Sequence, residues 1–217
     1  MGEGPGLKVV ATPQRPPVVR RLALTGTPGV GKSAVNRYLE NSIPTAEVGD
    51  LAVLWSAFHG SERRREVDLT RLATELRRHP RSPPMLVVGH LAHLLPIRDV
   101  VVLRCHPFEL GRRLEQRART LSRQSVRANV LAETVDIVFA EAKSLGRRVW
   151  SIDTTRSSPG AVARRVLDLF LHRSLGRTDR VDWLADPRVT EHLLVGEPRS
   201  RSRGRRRVPR SRRPLPR

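Results

Sequence analysis

Gly26-Thr27-Pro28-Gly29-Val30-Gly31-Lys32-Ser33 satisfies the pattern G-x-x-x-x-G-K-[ST] at every fixed position. Glycines let the backbone curl until several amide N–H groups point inward, where they can hold phosphate oxygens. Lys32 adds a mobile positive charge for β- and γ-phosphates, and the Ser33 hydroxyl suits a Mg²⁺ ion. The flanks supply the context this pattern needs. Residues 18–24 read as a buried strand entering the loop, and residues 33–40 read as a helix leaving it. That helix turns its positive N-terminal end toward an anion. Strand, glycine loop and helix in that order predict a nucleoside triphosphate as ligand.

The alternation continues downstream. Residues 86–88, 100–103 and 148–152 are short apolar runs of strand type, while residues 69–78, 107–116, 123–145 and 159–171 carry helical spacing. Ser157 or Ser158 is placed to cap the last of these helices, with Pro159 in its first turn. Strands separated by helices predict a parallel sheet covered on both faces, an α/β, doubly wound P-loop NTPase. Residues 18–184 suffice for one such domain. Residues 49–66 are poorly periodic and read as an insertion.

The net charge is +20, unevenly placed. Residues 199–217 contain ten arginines and no acidic residue, so this stretch alone supplies 10 of the 20 net charges. With Pro, Ser and Gly filling most of the remainder of that stretch, residues 185–217 read as a disordered basic tail, and residues 1–17 as a shorter disordered extension. A flexible arginine-rich arm displaces counterions from RNA or DNA phosphates; an Arg-rich genome would leave the same composition without that role. No run reaches the about 18 apolar residues of a membrane span, and residues 1–17 lack the apolar core of an export signal. Cys105, the single cysteine, cannot form an internal disulfide, which fits a cytoplasmic protein with that thiol as a small buried hydrophobe.

Several separated segments, in order, resemble one family. Leu24-Thr25 with the glycine loop, Gly49-Asp50-Leu51, Val67-Asp68-Leu69, Gly89-His90-Leu91-Ala92-His93-Leu94-Leu95-Pro96, Val101-Val102-Leu103-Arg104-Cys105, Asn129 with Glu133, Asp153-Thr154-Thr155 and Asp182-Trp183 are similar to motifs of the adenylate kinase isoenzyme 6-like proteins of archaea and eukaryotic nuclei. The resemblance covers about residues 20–184. It implies that Gly29, Val30, Gly31, Lys32, Ser33 and Ala34 hold ATP phosphates, Ala34 through its backbone alone. It implies that Gly49, Asp50 and the stretch through residue 66 form a flap over an acceptor nucleotide, with a lid over about residues 116–128. The lid arginine corresponds to Arg117 counted from Arg113, or to Arg119 counted back from Asn129. His90 falls near the γ-phosphate as an orienter or proton relay. The activity implied is adenylate kinase, ATP plus AMP giving two ADP with Mg²⁺. The family is also implicated in small-ribosomal-subunit maturation, with a small-subunit ribosomal protein and rRNA as partners. An ATP-hydrolysing assembly factor with little kinase turnover is therefore the alternative.

Two departures bear on the chemistry. Where the family ends a strand in a Mg²⁺-organising carboxylate, this chain has Val88, which leaves Asp50 and Asp153 as substitutes. The lid lacks the glycine–aromatic pair after its arginine, having Ala118 or Thr120 there. His90 and His93, three residues apart, have the spacing of two metal ligands on one helix face, but no cysteine or carboxylate cluster accompanies them. Trp150 and Trp183 are expected in packing roles.

Overall fold

In the computed structural model, residues 21–60, 66–79, 84–117, 121–172 and 178–195 are described. The expected extension at 1–17, Arg119 and the arginine-rich stretch 199–217 lie outside them.

The chain enters through β1 (Arg21–Thr25), turns through the glycine loop, and continues into α1 (Lys32–Leu39). β2 (Thr45–Glu47), α2 (Val48–Leu54), β3 (Phe58–His59), β4 (Glu66–Val67) and α3 (Leu69–Arg78) precede β5 (Met85–Val88). Then follow β6 (Asp99–Arg104), α4 (Pro107–Gln116), α5 (Arg123–Thr134), α6 (Ile137–Ser144), β7 (Arg148–Asp153), α7 (Pro159–His172) and α8 (Pro187–Val195). Five strands form one sheet in the order β2-β5-β1-β6-β7, every neighbouring pair parallel. β3 and β4 make a separate antiparallel pair.

Burial on both faces explains why the central strands β1, β5 and β6 carry apolar runs rather than alternating ones. On one face Leu22, Leu24, Val88, Val101, Leu103 and Ile152 pack with Val35 and Leu39 of α1 and with Val166 and Phe170 of α7. On the other, Ala23, Val87, Val100 and Val102 pack with α2, α3 and α6. The doubly wound reading therefore holds among the described residues. Cys105 is fully buried within the first cluster, and burial pushes its thiol up to about 12, so it acts as a small hydrophobe.

Three details differ from the pattern reading. The stretch 123–145 is two helices, because Val135 ends α5 and Asp136 takes a left-handed backbone (φ 60°) before α6. The poorly periodic 49–66 stretch contains most of α2 and the β3 strand, elements too short to show a period. Residues 187–195, assigned to the start of the tail, form α8, whose Val189 is buried. Asp182 accepts the backbone N–H groups of Leu184 and Ala185 just before it, and so anchors this segment.

The glycine loop needs its glycines for closeness as well as for turning. Gly26 has φ +138°, and a Cβ there would lie 2.4 Å from the Leu103 carbonyl oxygen. At Gly29 (φ +97°) it would meet Leu110 and Leu114 of α4 at 2.8 Å. Gly26→Ala is expected to cost ~1–3 kcal/mol of stability, read as a lowered denaturation midpoint. An unchanged midpoint would mean that β6 yields to the methyl group.

Candidate functional site

The loop between β1 and α1 sits at the C-terminal ends of the strands, where parallel α/β sheets present their ligand sites. Long-range hydrogen bonds hold it there. The Thr27 hydroxyl donates to Glu133 Oε2 at 2.7 Å. Glu133, 2% exposed near the end of α5, also accepts from Arg104 Nε at 2.8 Å, from the Cys105 backbone N–H at 3.1 Å and from Trp183 Nε1 at 3.2 Å. Arg104, equally buried, donates in addition to the Asp136 carboxylate. The Thr154 hydroxyl lies 2.8 Å from the carbonyls of both Val30 and Arg104, tying the loop to β6 and β7. Glu133 stood out in sequence only as part of a motif, and the site it organises was not legible. Its partner Thr27 lies 106 positions away.

Lys32 opens α1 and folds back over the loop, donating to the carbonyls of Gly26 at 2.6 Å and Thr27 at 3.0 Å. Desolvation by burial brings its ammonium down to about 8. The charges of Glu133 and Glu47 act upward on it, and that of Arg117 acts downward. Ser33 follows on the exposed first turn, with Ala34 beside it and Val30 fully buried. Arg117 is exposed at the C-terminal cap of α4, close enough for its charge to act on Lys32. His90 is exposed just after β5. Its ring is held below the usual imidazole range by desolvation first, then by Lys32 and His93. Asp50 lies exposed in the first turn of α2. The charge of Arg117 thus acts on Lys32 and that of Lys32 on His90, while Asp50 makes no hydrogen bond or ion pair with them among the described residues.

Three other residues have structural employment. His93 is buried, with Nδ1 3.1 Å from the Thr25 hydroxyl and Nε2 2.9 Å from Glu141, so both ring nitrogens are engaged and neither is free for a metal. Asp153 accepts the Thr155 backbone N–H at 2.8 Å and its hydroxyl at 2.5 Å, which shapes the β7–α7 turn. Trp183 hydrogen-bonds Glu133 and sets its ring edge-on against His106, 5.1 Å between centroids.

A Mg²⁺ ion requires hard oxygen donors and keeps several of its waters. The exposed Ser33 hydroxyl fits that chemistry, as does an exposed carboxylate at Glu47. Val88, 2% exposed in the core, does not. No group of three or more His, Cys, Asp or Glu residues among the described residues is placed to hold a metal ion by itself. A cavity of about 780 Å³ lies beyond β7, lined by His106, Glu109, Arg112, Thr155, Arg180 and Trp183 among others, with no residue of the glycine loop in its wall.

A protein-family model described as an AAA domain matches residues 22–136. The chain belongs to that family. A protein named "Putative adenylate kinase" from Thermococcus gammatolerans is 35% identical to it over 164 residues, 75% of this chain and 92% of its own. Relatives of the same name come from Thermococcus onnurineus (31% over 179 residues, 81% of this chain and 98% of its own) and Halobacterium salinarum (34% over 170 residues, 76% and 99%). The aligned lengths make this AAA-domain protein similar to those relatives over nearly their whole chains.

Two outcomes follow from the geometry. Glu133→Ala removes one of the two carboxylates that pair the buried Arg104, and also the acceptor of Thr27, Trp183 and the Cys105 N–H; it is expected to cost ~3–5 kcal/mol, measured by chemical denaturation. Lys32, near 8 in the free protein, is largely neutral at pH 9, and a bound polyphosphate favours its charged form. Triphosphate binding at pH 9 should therefore take up protons, seen by calorimetry in buffers of different ionisation enthalpy, and Lys32→Ala should abolish the uptake.

Proposed function

We propose that this chain is a nucleoside monophosphate kinase, transferring the γ-phosphoryl group of ATP to AMP to give two ADP. The observation that carries the reading is the glycine loop itself, with a desolvated Lys32 inside it and the guanidinium of Arg117 acting on the same point. The name carried by the archaeal relatives supports the choice of reaction.

Gly29, Val30, Gly31, Lys32, Ser33 and Ala34 would receive the triphosphate, with the phosphates displacing the Gly26 and Thr27 carbonyls from the Lys32 ammonium. The AMP phosphate oxygen attacks the γ-phosphorus in line. That P–O bond forms as the bond from γ-phosphorus to the β,γ-bridging oxygen breaks, and the electron pair leaves on the β-phosphate of ADP. Lys32 and Arg117 stabilise the charge spread over the transferring group, and most of the acceleration comes from positioning. α2, with Gly49 and Asp50, covers the acceptor as part of a flap, and the α4–α5 connection, including Arg119, serves as the lid. His90, its lowered pKa favouring the neutral ring, orients the acceptor or the water near the γ-phosphate. Mg²⁺, when bound, neutralises charge across the β- and γ-phosphates, and the Ser33 hydroxyl would hold it.

Val88 and the ten arginines of residues 199–217 favour a second reading. In it the chain is a cytoplasmic, RNA-associated ATPase of the isoenzyme 6-like type, acting in small-ribosomal-subunit maturation beside a ribosomal protein and rRNA.

A ³¹P time course with ATP and Mg²⁺ separates the two. The kinase produces ADP at twice the ATP consumed, only when AMP is present, and folded Lys32→Ala produces none. Phosphate release indifferent to AMP would replace this reading with the ATPase.

A further inference from the structure

Paired residues on parallel strands send their side chains to the same face of the sheet. β2 lies in register with β5 so that Ala46 stands opposite Val87 and Glu47 opposite Val88, and Val88 in turn stands opposite Leu24 of β1. Glu47, Val88 and Leu24 therefore form one row across the sheet, just ahead of Thr25 and the glycine loop. Val88 and Leu24 pack on the α1 face, while Ala46 and Val87 pack on the opposite one. The side chain of Glu47 accordingly leaves β2 on the side where α1 begins with Lys32 and Ser33. It is exposed, and its carboxylate makes no hydrogen bond or ion pair among the described residues. It does not cap α2, although it occupies the capping position. Its charge is one of three that act on the Lys32 ammonium, the others being Glu133 and Arg117. Of these, Glu133 is already committed to four donors.

We propose that Glu47 is the carboxylate that organises the divalent cation of this site, taking from the neighbouring strand the part that Val88 cannot play. Resting on the kinase reading, the assignment makes Glu47 a positioning residue. Its carboxylate accepts hydrogen bonds from waters of the cation that Ser33 and the triphosphate hold, and so fixes the cation against the β- and γ-phosphates. A carboxylate suits this role because a hydrated Mg²⁺ presents water hydrogens outward, and Val88 offers nothing to receive them.

The test uses the full chain, Mn²⁺ as a paramagnetic probe and the β,γ-imido analogue of ATP. Glu47 is exposed, so Glu47→Gln keeps shape and fold while removing the charge. Mn²⁺ affinity in the ternary complex, read by electron paramagnetic resonance, should fall about tenfold or more. Affinity for the analogue in EDTA should stay the same or tighten, since a charge repelling the phosphates is gone. Unchanged Mn²⁺ affinity in Glu47→Gln, with analogue binding intact, overturns the assignment alone. An equal loss of analogue affinity in EDTA overturns it too, because Glu47 would then act on the nucleotide or the loop rather than on the cation. Failure of the wild-type chain to bind the analogue would overturn the kinase reading, and the assignment with it.

Discussion

The Glu133 carboxylate is buried, and it ties the glycine loop to the end of β6, to α5 and to the segment carrying Trp183. Taking such a charge out of water costs several kcal/mol unless partners occupy its lone pairs. Here four donors do so: a loop hydroxyl, a guanidinium, a backbone amide at the end of β6, and an indole from the C-terminal segment. They come from three separate parts of the chain: the glycine loop, the end of β6 and the C-terminal segment. The hub can therefore form only once the sheet, α5 and the turn carrying Trp183 have docked together. Its formation sets where Thr27, and hence the glycine loop, must lie. Leucines 110 and 114 of α4 close on Gly29 from the other side, so the loop is gripped between a hydrogen-bonded anchor and an apolar contact.

A loop fixed this way can keep Lys32 poor in water without losing its position. The ammonium is lowered toward neutrality by burial and by Arg117, while Glu133 and Glu47 act against that drift. The charge of Arg117 opposes that of Lys32, and on the proposed kinase reading an incoming polyphosphate would relieve both at once. The carbonyls of Gly26 and Thr27 hold the ammonium in the meantime. They are neutral acceptors, weaker partners than a charged phosphate oxygen, so the exchange favours the ligand.

Much of this was legible in the sequence where the cause is local. α3 and α4 begin and end where their spacing places them; Asp68 caps the first, accepting from the Arg71 N–H at 2.9 Å, and Pro107 opens the second. Ser158 accepts from Ala161 at the start of α7, as its position suggests. The glycine loop, Lys32 and Ser33 are fixed-spacing features and fall where the pattern puts them. The break at Asp136 gave no signal, since a non-glycine residue with positive φ looks like any other in a helical run. β2 and the β3–β4 pair are too short for periodicity to register. The employment of Glu133 and of His93 was invisible for a different reason. Both depend on partners brought close only by the assembled sheet, and a single sequence carries no record of those distances.

The same distinction bears on what Val88 means. Read along the chain, a valine at the end of β5 is a missing carboxylate. Across the sheet, the position is one of a row, and neighbouring strands repeat it at about 4.8 Å. Moving a functional group along its own strand by one residue sends it to the opposite face, into the core beside α2 and α3. Moving it sideways to the paired residue keeps both the face and the height, and only the lateral distance has to be recovered. The glutamate at position 47 has one methylene more than an aspartate with which to recover part of it, and β2 is an edge strand, so the carboxylate stays exposed to water. Register, and not identity at one position, is therefore what preserves a site of this kind when a single residue of its usual pattern is lost.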